Sequence, residues 1–247
     1  MKISVVIVHW NTPDALEKQL ALIKSSKDLE VVVVDNASKK SIKNLKLIHK
    51  NLRVVENNAN LGFATACNQG AIIAKGEWLL FLNPDTFITS DKILKLVKSA
   101  EIQNLDAASP TQTGENYYKP LPTWLSLTVE FSPLGRIIPL SIFKNRTLFG
   151  GCLLIKASVL KRLGGWDNKF FLWFEDSDLT KRLYDMKYRI GWIPIKYKHL
   201  GGGSFAQLDF KYKKIIFFKS MNIYAKKHFS LMDRFIVMLL TAINIRR

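Results

Sequence analysis

Leu79-Leu80-Phe81-Leu82-Asn83-Pro84-Asp85-Thr86 is the stretch on which the reading of this 247-residue chain turns. Its four leading apolar residues read as a strand buried on both faces. Pro84 has no N–H to give a central ladder, so the strand stops there. Asp85 then stands at the carboxyl edge of the strand, where open α/β sheets take their ligands. A carboxylate at that place either holds a divalent cation against a phosphate or is the solvated end of an Asn-Pro-Asp turn. The rest of the chain has to decide between the two.

Upstream, Ile3–Val8 and Glu30–Val34 also read as buried strands, rich in β-branched residues. Between them, Asp14–Ser25 carries Leu16, Leu20 and Ile23 at helical spacing, with Thr12 placed to cap and Pro13 at the first helical position. This is β-α-β, the start of a doubly wound sheet. The opening MKISVVIVHWN is its first strand rather than a signal peptide, because the apolar run is short and no small-residue cleavage pattern follows. The second strand ends in Asp35-Asn36-Ala37-Ser38. Lys39–Lys50 is basic and partly helical, with a solvated charged face. Arg53–Glu56 is a short strand, and a helix is expected from Ala64 to Ala74, closed by Gly76 in the C′ manner.

Downstream, Asp91–Asn104 has the apolar stripe of an amphipathic helix. Asp106–Pro110 reads as a short strand. Thr111–Phe149, with Pro120, Pro122, Pro133 and Pro139, reads as a long loop carrying short helices; loops of that length are functional or mobile. Leu148–Lys156 returns to strand and Ala157–Leu163 to helix. Glu175-Asp176-Ser177-Asp178 opens a helix reaching about Met186, with acids in the first turn as the helix dipole favours. Arg189–Ile193 is a strand and Lys198–Ser204 a flexible segment.

Apolar residues make up 48% and charged residues 23%, ordinary for a chain that buries a real core as one large domain, with or without an appendage. The net charge of +17 is not ordinary and favours acidic partners. Cys67 and Cys152 sit far apart in apolar surroundings, so a disulfide framework is not expected and a reducing compartment is. No Cys/His zinc spacing occurs. No apolar run reaches membrane-spanning length. Phe205–Arg247 carries nine Lys or Arg against two acids. Ile215, Phe218, Ile223 and Tyr224, then Phe235, Met238, Leu239 and Ala242, fall at helical spacing. Two basic amphipathic helices are expected, either packed on the core or lying in a bilayer surface.

Polar turns therefore stand beside several strand ends: Asn11, Asp35-Asn36, Asn60-Leu61-Gly62, Asn83-Pro84-Asp85 and Glu175-Asp176, with His199 in a glycine-flanked loop. No Gly-x-Gly-x-x-Gly and no Walker loop is present, so a nucleotide on this sheet would be held by side chains and a cation. Taken singly, a buried Asp after a strand is more often a helix cap than a site, and a lone His more often structural than a ligand.

Taken together they carry a resemblance. SVVIVHWN at Ser4–Asn11, VVVVDNAS at Val31–Ser38, NANLGFATACNQG at Asn58–Gly70, LLFLNPDT at Leu79–Thr86, GGCLLIK at Gly150–Lys156, GGWDNKFFLWFEDSDL at Gly164–Leu179 and HLGGGS at His199–Ser204 stand in one order. From Ile3 to Ser204 the chain resembles the family 2 glycosyltransferases of the GT-A fold, and within them the rhamnosyltransferase-like branch. The resemblance implies an α/β protein with a mixed, mostly parallel sheet flanked by helices. On this reading residues 1–204 form the transferase domain and 205–247 a basic amphipathic helical tail.

The implied activity is inverting transfer of a sugar from a nucleotide diphosphate, dTDP-rhamnose or a UDP-sugar, to a saccharide acceptor, lipid-linked, in cell-surface polysaccharide synthesis. Asp35 would accept from the pyrimidine ring. Asn11, Asn36, Asn60, Gly62, Asn68 and Asn83 would line the nucleotide-sugar pocket. Asp85 and His199 would hold Mg²⁺ or Mn²⁺ against the diphosphate. Asp176 would be the general base, with Glu175 and Trp173 in support and Asp178 facing elsewhere. Trp166 and Trp173 stack on a sugar or pack in the core. Many family members carry an Asp where this chain has Asn83, so here the donor's phosphates would complete the metal site. A cytoplasmic protein, peripheral on the inner membrane face and without a nucleic-acid partner, is expected. The rivals are a nucleic-acid-binding protein, suggested by the charge, and a nucleotidyltransferase, which would need a basic glycine-rich loop after the first strand; His9-Trp10-Asn11-Thr12 offers none.

Overall fold

In the computed structural model the described residues are 2–24, 26–40, 42, 45, 49, 52–111, 119–201, 203 and 207–246. The strands are β1 (Ile3–His9), β2 (Leu29–Asp35), β3 (Leu52–Glu56), β4 (Trp78–Leu82), β5 (Thr86–Phe87), β6 (Ala107–Pro110), β7 (Cys152–Lys156), β8 (Ile190–Ile193) and β9 (Lys198–His199). The helices are α1 (Pro13–Leu22), α2 (Phe63–Ile73), α3 (Ser90–Ile102), α4 (Trp124–Glu130), α5 (Ala157–Arg162), α6 (Glu175–Asp185), α7 (Phe210–His228) and α8 (Leu231–Arg246), with 3-10 turns at Pro133–Arg136 and Leu140–Ile142.

Seven strands form one sheet in the order β3-β2-β1-β4-β7-β6-β8. β3, β2, β1 and β4 run parallel, β7 runs antiparallel between β4 and β6, and β6 pairs parallel with β8. The sheet is mixed and mostly parallel, as expected. Chain order reverses beside β1, between β2 and β4, and such a switch point leaves a crevice beyond the strand ends.

The central strands are apolar on both faces because each face carries its own core. Ile3, Val5, Ile7, Val31, Val33, Leu80 and Leu82 pack with Leu16 and Leu20 of α1 and Ile93, Leu96 and Val97 of α3. The intervening Val6, Val32, Val34, Leu79 and Phe81 pack with Ala64 and Cys67 of α2 and Leu179 and Leu183 of α6. A third cluster lies apart from the sheet: Leu127 of α4, Phe170, Phe174, then Phe218, Met221, Tyr224 and Ala225 of α7 with Val237 and Leu240 of α8.

Several expectations change. Gly76 does not close α2, which stops at Ile73 with Ala74 already extended. Gly76 is instead a close approach: a Cβ there would lie 2.5 Å from the Ser4 amide nitrogen. Thr12 stands at the N-cap of α1, but its hydroxyl makes no cap bond and lies 3.1 Å from His9 Nδ1. Lys198 and His199 are not loose; they pair antiparallel with Phe87 and Thr86. Leu148–Gly151 lies outside β7, which starts at Cys152. Most of Lys39–Lys50 lies outside the described residues. On α7, Ile215 is exposed while Phe218 and Tyr224 are buried; on α8, Phe235, Met238, Leu239 and Ala242 face outward.

Candidate active site

β1, β2 and β4 deliver their carboxyl ends to one cavity, lined by Val8, Trp10, Asn36, Asn60, Gly62, Phe63, Asn83, Pro84, Asp85, Phe171, Leu172, His199, Gly203 and Leu208. The β5/β9 ribbon places Thr86 opposite His199 and so brings His199 Nε2 to 3.5 Å from Asp85 Oδ1. Gly203 N–H also donates to Asp85 Oδ2 at 3.4 Å. Burial alone would push the Asp85 carboxyl up, but His199 and the Gly203 amide outweigh it and hold it below the ordinary carboxylate range.

Asn36 is the buried organiser of the opposite wall. Its Nδ2 donates to Asn60 Oδ1 at 2.9 Å and to Gly62 O at 3.1 Å, and its Oδ1 accepts from Asn57 Nδ2 and Leu61 N–H. Two donors and two lone pairs exhaust an amide, so Asn36 shapes the wall rather than offering a free group to a ligand. Gly62 sits at φ +84°, and a Cβ there would be 2.6 Å from Phe171 O. The Phe63 amide donates to that same oxygen at 2.8 Å, which clips the 60–63 loop to the Phe171 segment.

Three expected residues do not form this wall. Asp35 is buried, and its Oδ1 accepts from Ser38 N–H to close the turn after β2. Asn11 (φ +53°) receives Lys39 N–H on Oδ1 and donates its own N–H to Ser38, tying the exits of β1 and β2 together. Asn68 spends its amide on Trp166 O, Trp166 N–H and Asn168 Oδ1, a structural clasp across 98 residues. Trp166, the other side of that clasp, packs edge-on against Phe63 and Phe81 in the core. A buried amide and a buried indole read the same in sequence whether they hold a ligand or a fold.

Asp176 lies in the first turn of α6, four residues along the chain from cavity-lining Leu172, and is buried. Its Oδ1 accepts from Lys119 Nζ at 2.7 Å and from Ser177 N–H at 2.7 Å. Glu175 is buried with Oε2 unpartnered. Burial, and then the Asp176 carboxylate beside it, push Glu175 up to about 8, so Glu175 keeps its proton at neutral pH. Before this pair, Trp173 and Phe174 both stand at φ +65°, a conformation that bulky residues rarely adopt and that clusters at functional sites. Phe171 and Leu172 face the first cavity, while Trp173 and Phe174 face a second one with Lys119, Pro120, Pro122, Leu127, Leu140 and Phe217. Trp173 therefore lies on the far side of the divider and packs edge-on against Phe217.

Asp178, fully buried, faces away as expected. Lys227 Nζ (2.7 Å) and His228 Nε2 (2.8 Å) of α7 approach its Oδ1, and Arg182 Nε donates to its Oδ2 (2.9 Å). Sequence reasoning missed Lys119, Trp10, Phe171 and Leu172. The first joins Asp176 across 57 residues, with no local pattern to announce it.

Among the described residues no three His, Cys, Asp or Glu side chains converge. Asp85 and His199 are one hard oxygen donor and one imidazole, with the Asn83 amide in the same wall. Such a pair fits a divalent cation that keeps positions for phosphate and water.

A crevice at a topological switch point, lined by side chains instead of a glycine-rich loop, defines a nucleotide-binding sheet of the GT-A type. The sequence profile of glycosyl transferase family 2 matches residues 4–164, and the chain belongs to that family. A second profile, the N-terminal domain of galactosyltransferase, matches residues 141–201. The low-salt glycan biosynthesis hexosyltransferase Agl10 of Haloferax volcanii is 24% identical over 202 residues, 76% of this chain and 64% of its own. The N-acetylglucosaminyl-diphospho-decaprenol L-rhamnosyltransferase of Mycobacterium tuberculosis is 24% identical over 225 residues, 77% of this chain and 72% of its own. The chain spans between 26% and 64% of the length of the first three curated relatives it matches. Among solved structures, the mannosyltransferase PcManGT of Pyrobaculum calidifontis, in complex with GDP-Man and Mn²⁺, superposes with a TM-score of 0.67 at 18% identity, covering 99% of this chain and 69% of that one. S. aureus TarS with UDP-GlcNAc gives a TM-score of 0.60 at 19% identity, covering 91% and 66%.

Proposed function

We propose that the chain is an inverting glycosyltransferase that moves a sugar, rhamnose from dTDP-rhamnose first or another from a UDP-sugar, to a hydroxyl of a lipid-linked saccharide in cell-surface polysaccharide synthesis. The observation that carries this reading is the meeting of Asp85, His199 and Asn83 with the Asn36-Asn60-Gly62 wall in one cavity, with Asp176 four residues along the chain from its Leu172. A nucleotide fits the Asn60–Gly62 side, where the backbone approaches closely; Asp35, buried with Oδ1 engaged by the Ser38 amide, would serve the pyrimidine through its other oxygen. The diphosphate lies toward Asp85 and His199. These two would hold Mg²⁺ or Mn²⁺, which offsets charge on the leaving diphosphate.

Asp176 is the base. The acceptor oxygen forms its bond to the anomeric carbon from the face opposite the diphosphate, the carbon–phosphate-oxygen bond breaks, and the hydroxyl proton passes to the Asp176 carboxylate. A positioned base is worth about 10²–10⁴ in rate. Glu175, already protonated, does not compete for that role, and Trp173 supports the pair from the acceptor side. Residues 1–204 carry the chemistry and 205–247 attach it to the inner membrane face, where a lipid-linked acceptor lies. The diphospho-decaprenol acceptor in the name of the mycobacterial relative supports that class. No helix among the described residues is long and apolar enough to cross a membrane.

Incubation with a panel of nucleotide sugars, with and without Mn²⁺, tests the donor. Asp176→Asn should abolish transfer and leave binding of the nucleoside diphosphate nearly intact. Substantial residual transfer would overturn the assignment of Asp176 as base and, with it, the protonated state given to Glu175, the next carboxyl in line.

A further inference from the structure

α8 is apolar on two sides. Its inner side, Val237 and Leu240, is buried in the cluster that also takes Phe218, Met221, Tyr224 and Ala225 of α7. Its outer side is Leu231, Met232, Phe235, Met238, Leu239, Ala242 and Ile243, and the six large ones are between 49% and 81% exposed. At 100° per residue these seven span about 140° of the helix circumference, along a helix roughly 24 Å long. From Phe235 to Ile245 the helix carries no charged residue. Soluble proteins rarely leave so continuous an apolar surface without a use for it.

The neighbouring surface is basic. Two residues separate α7 from α8, and Asn222 Nδ2 donates to Thr241 Oγ1 between them. Both helices press into the same cluster, so their outer sides look away from it together. The outer side of α7 carries Lys211, Lys219 and Lys226, all exposed, at helical spacing with Ile215. Asn244 Nδ2 donates to Phe131 O, which joins the end of α8 to the turn bearing exposed Leu134, Arg136 and Ile137.

From this pairing we infer that the outer side of α8, rimmed by the α7 lysines, is a docking face for an anionic lipid bilayer, into which α8 lies flat. An apolar stripe supplies burial in the acyl boundary and the lysines supply attraction to anionic headgroups, the two terms that hold interfacial helices. A protein partner would be satisfied by apolar surface alone; the lysine row is what selects a lipid surface. The membrane side of the transferase reading becomes a specific surface, yet vesicle binding is measured without turnover, so either can fail alone.

The full chain is sedimented with vesicles of phosphatidylcholine alone and with vesicles in which about a third is phosphatidylglycerol. It should partition onto the anionic vesicles and release as salt rises. Phe235→Ser, Met238→Ser and Leu239→Ser together should lower partitioning more than tenfold with little change in the melting temperature, since none is among the buried residues of the core. Lys211→Ala, Lys219→Ala and Lys226→Ala together should erase the preference for anionic lipid. Unchanged partitioning of the serine variant overturns the inference. So does a wild-type chain that ignores vesicles and forms a dimer which the serine variant dissolves, because the face then belongs to a second copy.

Discussion

Gly62→Ala isolates what the close approach of two backbones contributes. Gly62 stands at φ +84° and ψ 169°, a region that is essentially glycine's alone, and occupying it with alanine costs about 1–3 kcal/mol. The added Cβ would also meet Phe171 O at 2.6 Å and Phe171 Cα at 2.9 Å, both backbone atoms that cannot swing aside. The Phe171 segment must therefore shift, and the bond from Phe63 N–H to Phe171 O goes with it, about 1 kcal/mol more. A total near 3 kcal/mol corresponds to a fall in melting temperature of about 6–12 °C for a chain of this size. Because Gly62 and Phe171 both line the donor-side cavity, affinity for dTDP and UDP should fall by about tenfold or more, a loss of roughly 1.4 kcal/mol. Thermal unfolding by circular dichroism and equilibrium binding read the two effects. Gly164→Ala is the control: Gly164 also has positive φ, +76°, but nothing lies within 4 Å of its Cβ position, so it should cost only the backbone strain. If Gly62→Ala is no more damaging than Gly164→Ala and binds nucleotide as well as wild type, the argument from close approach is refuted.

Three further outcomes follow from the buried charges and thiols. Burial would raise Asp178, but His228, Arg182 and Lys227 outweigh it and hold the carboxyl low; Asp178→Ala removes the buried acceptor these three share, although Lys227 keeps Asp167, and should cost about 3–5 kcal/mol in urea unfolding, and a loss below about 1 would contradict it. Glu175 keeps its proton in the native chain to about 8 and releases it lower when unfolded, so wild-type stability should decline as pH rises from about 5 to 8, and Glu175→Gln should flatten that decline; parallel curves would show that Glu175 is not the titrating group. Cys67 and Cys152 are buried with their thiols pushed up, so Ellman's reagent should find neither until the chain unfolds.

The parallel core was legible because Val31–Val34 and Leu79–Leu82 are unbroken apolar runs, a pattern that only a strand covered on both faces needs. Pro84 placed Asp85 at the strand edge, and the edge is where it is. The direction of β7 was not legible: an apolar run says that a strand is buried, not which way it points. Side-chain allegiance was also hidden. Asn68 has the chemistry of a ligand and serves as a clasp for Trp166, because hydrogen-bond partners 98 residues away leave no trace in local spacing. Lys119 and Asp176 illustrate the same limit across 57 residues. In α8 apolar residues occupy nearly the whole circumference, so spacing alone did not distinguish the stripe facing out from Val237 and Leu240 facing in.

Asp178 bears on how such a chain can be recombined. Its three partners come from two helices far apart in sequence, Arg182 beside it on α6 and Lys227 with His228 on α7. A graft that exchanged the last forty or so residues for another sequence, while keeping α6, would leave Asp178 with Arg182 alone and its buried Oδ1 without these partners unless the incoming helix brought its own donors. The heritable module is thus not the tail but the tail together with the helix that bears the acids, and shuffled chimeras should survive only when both come from one parent.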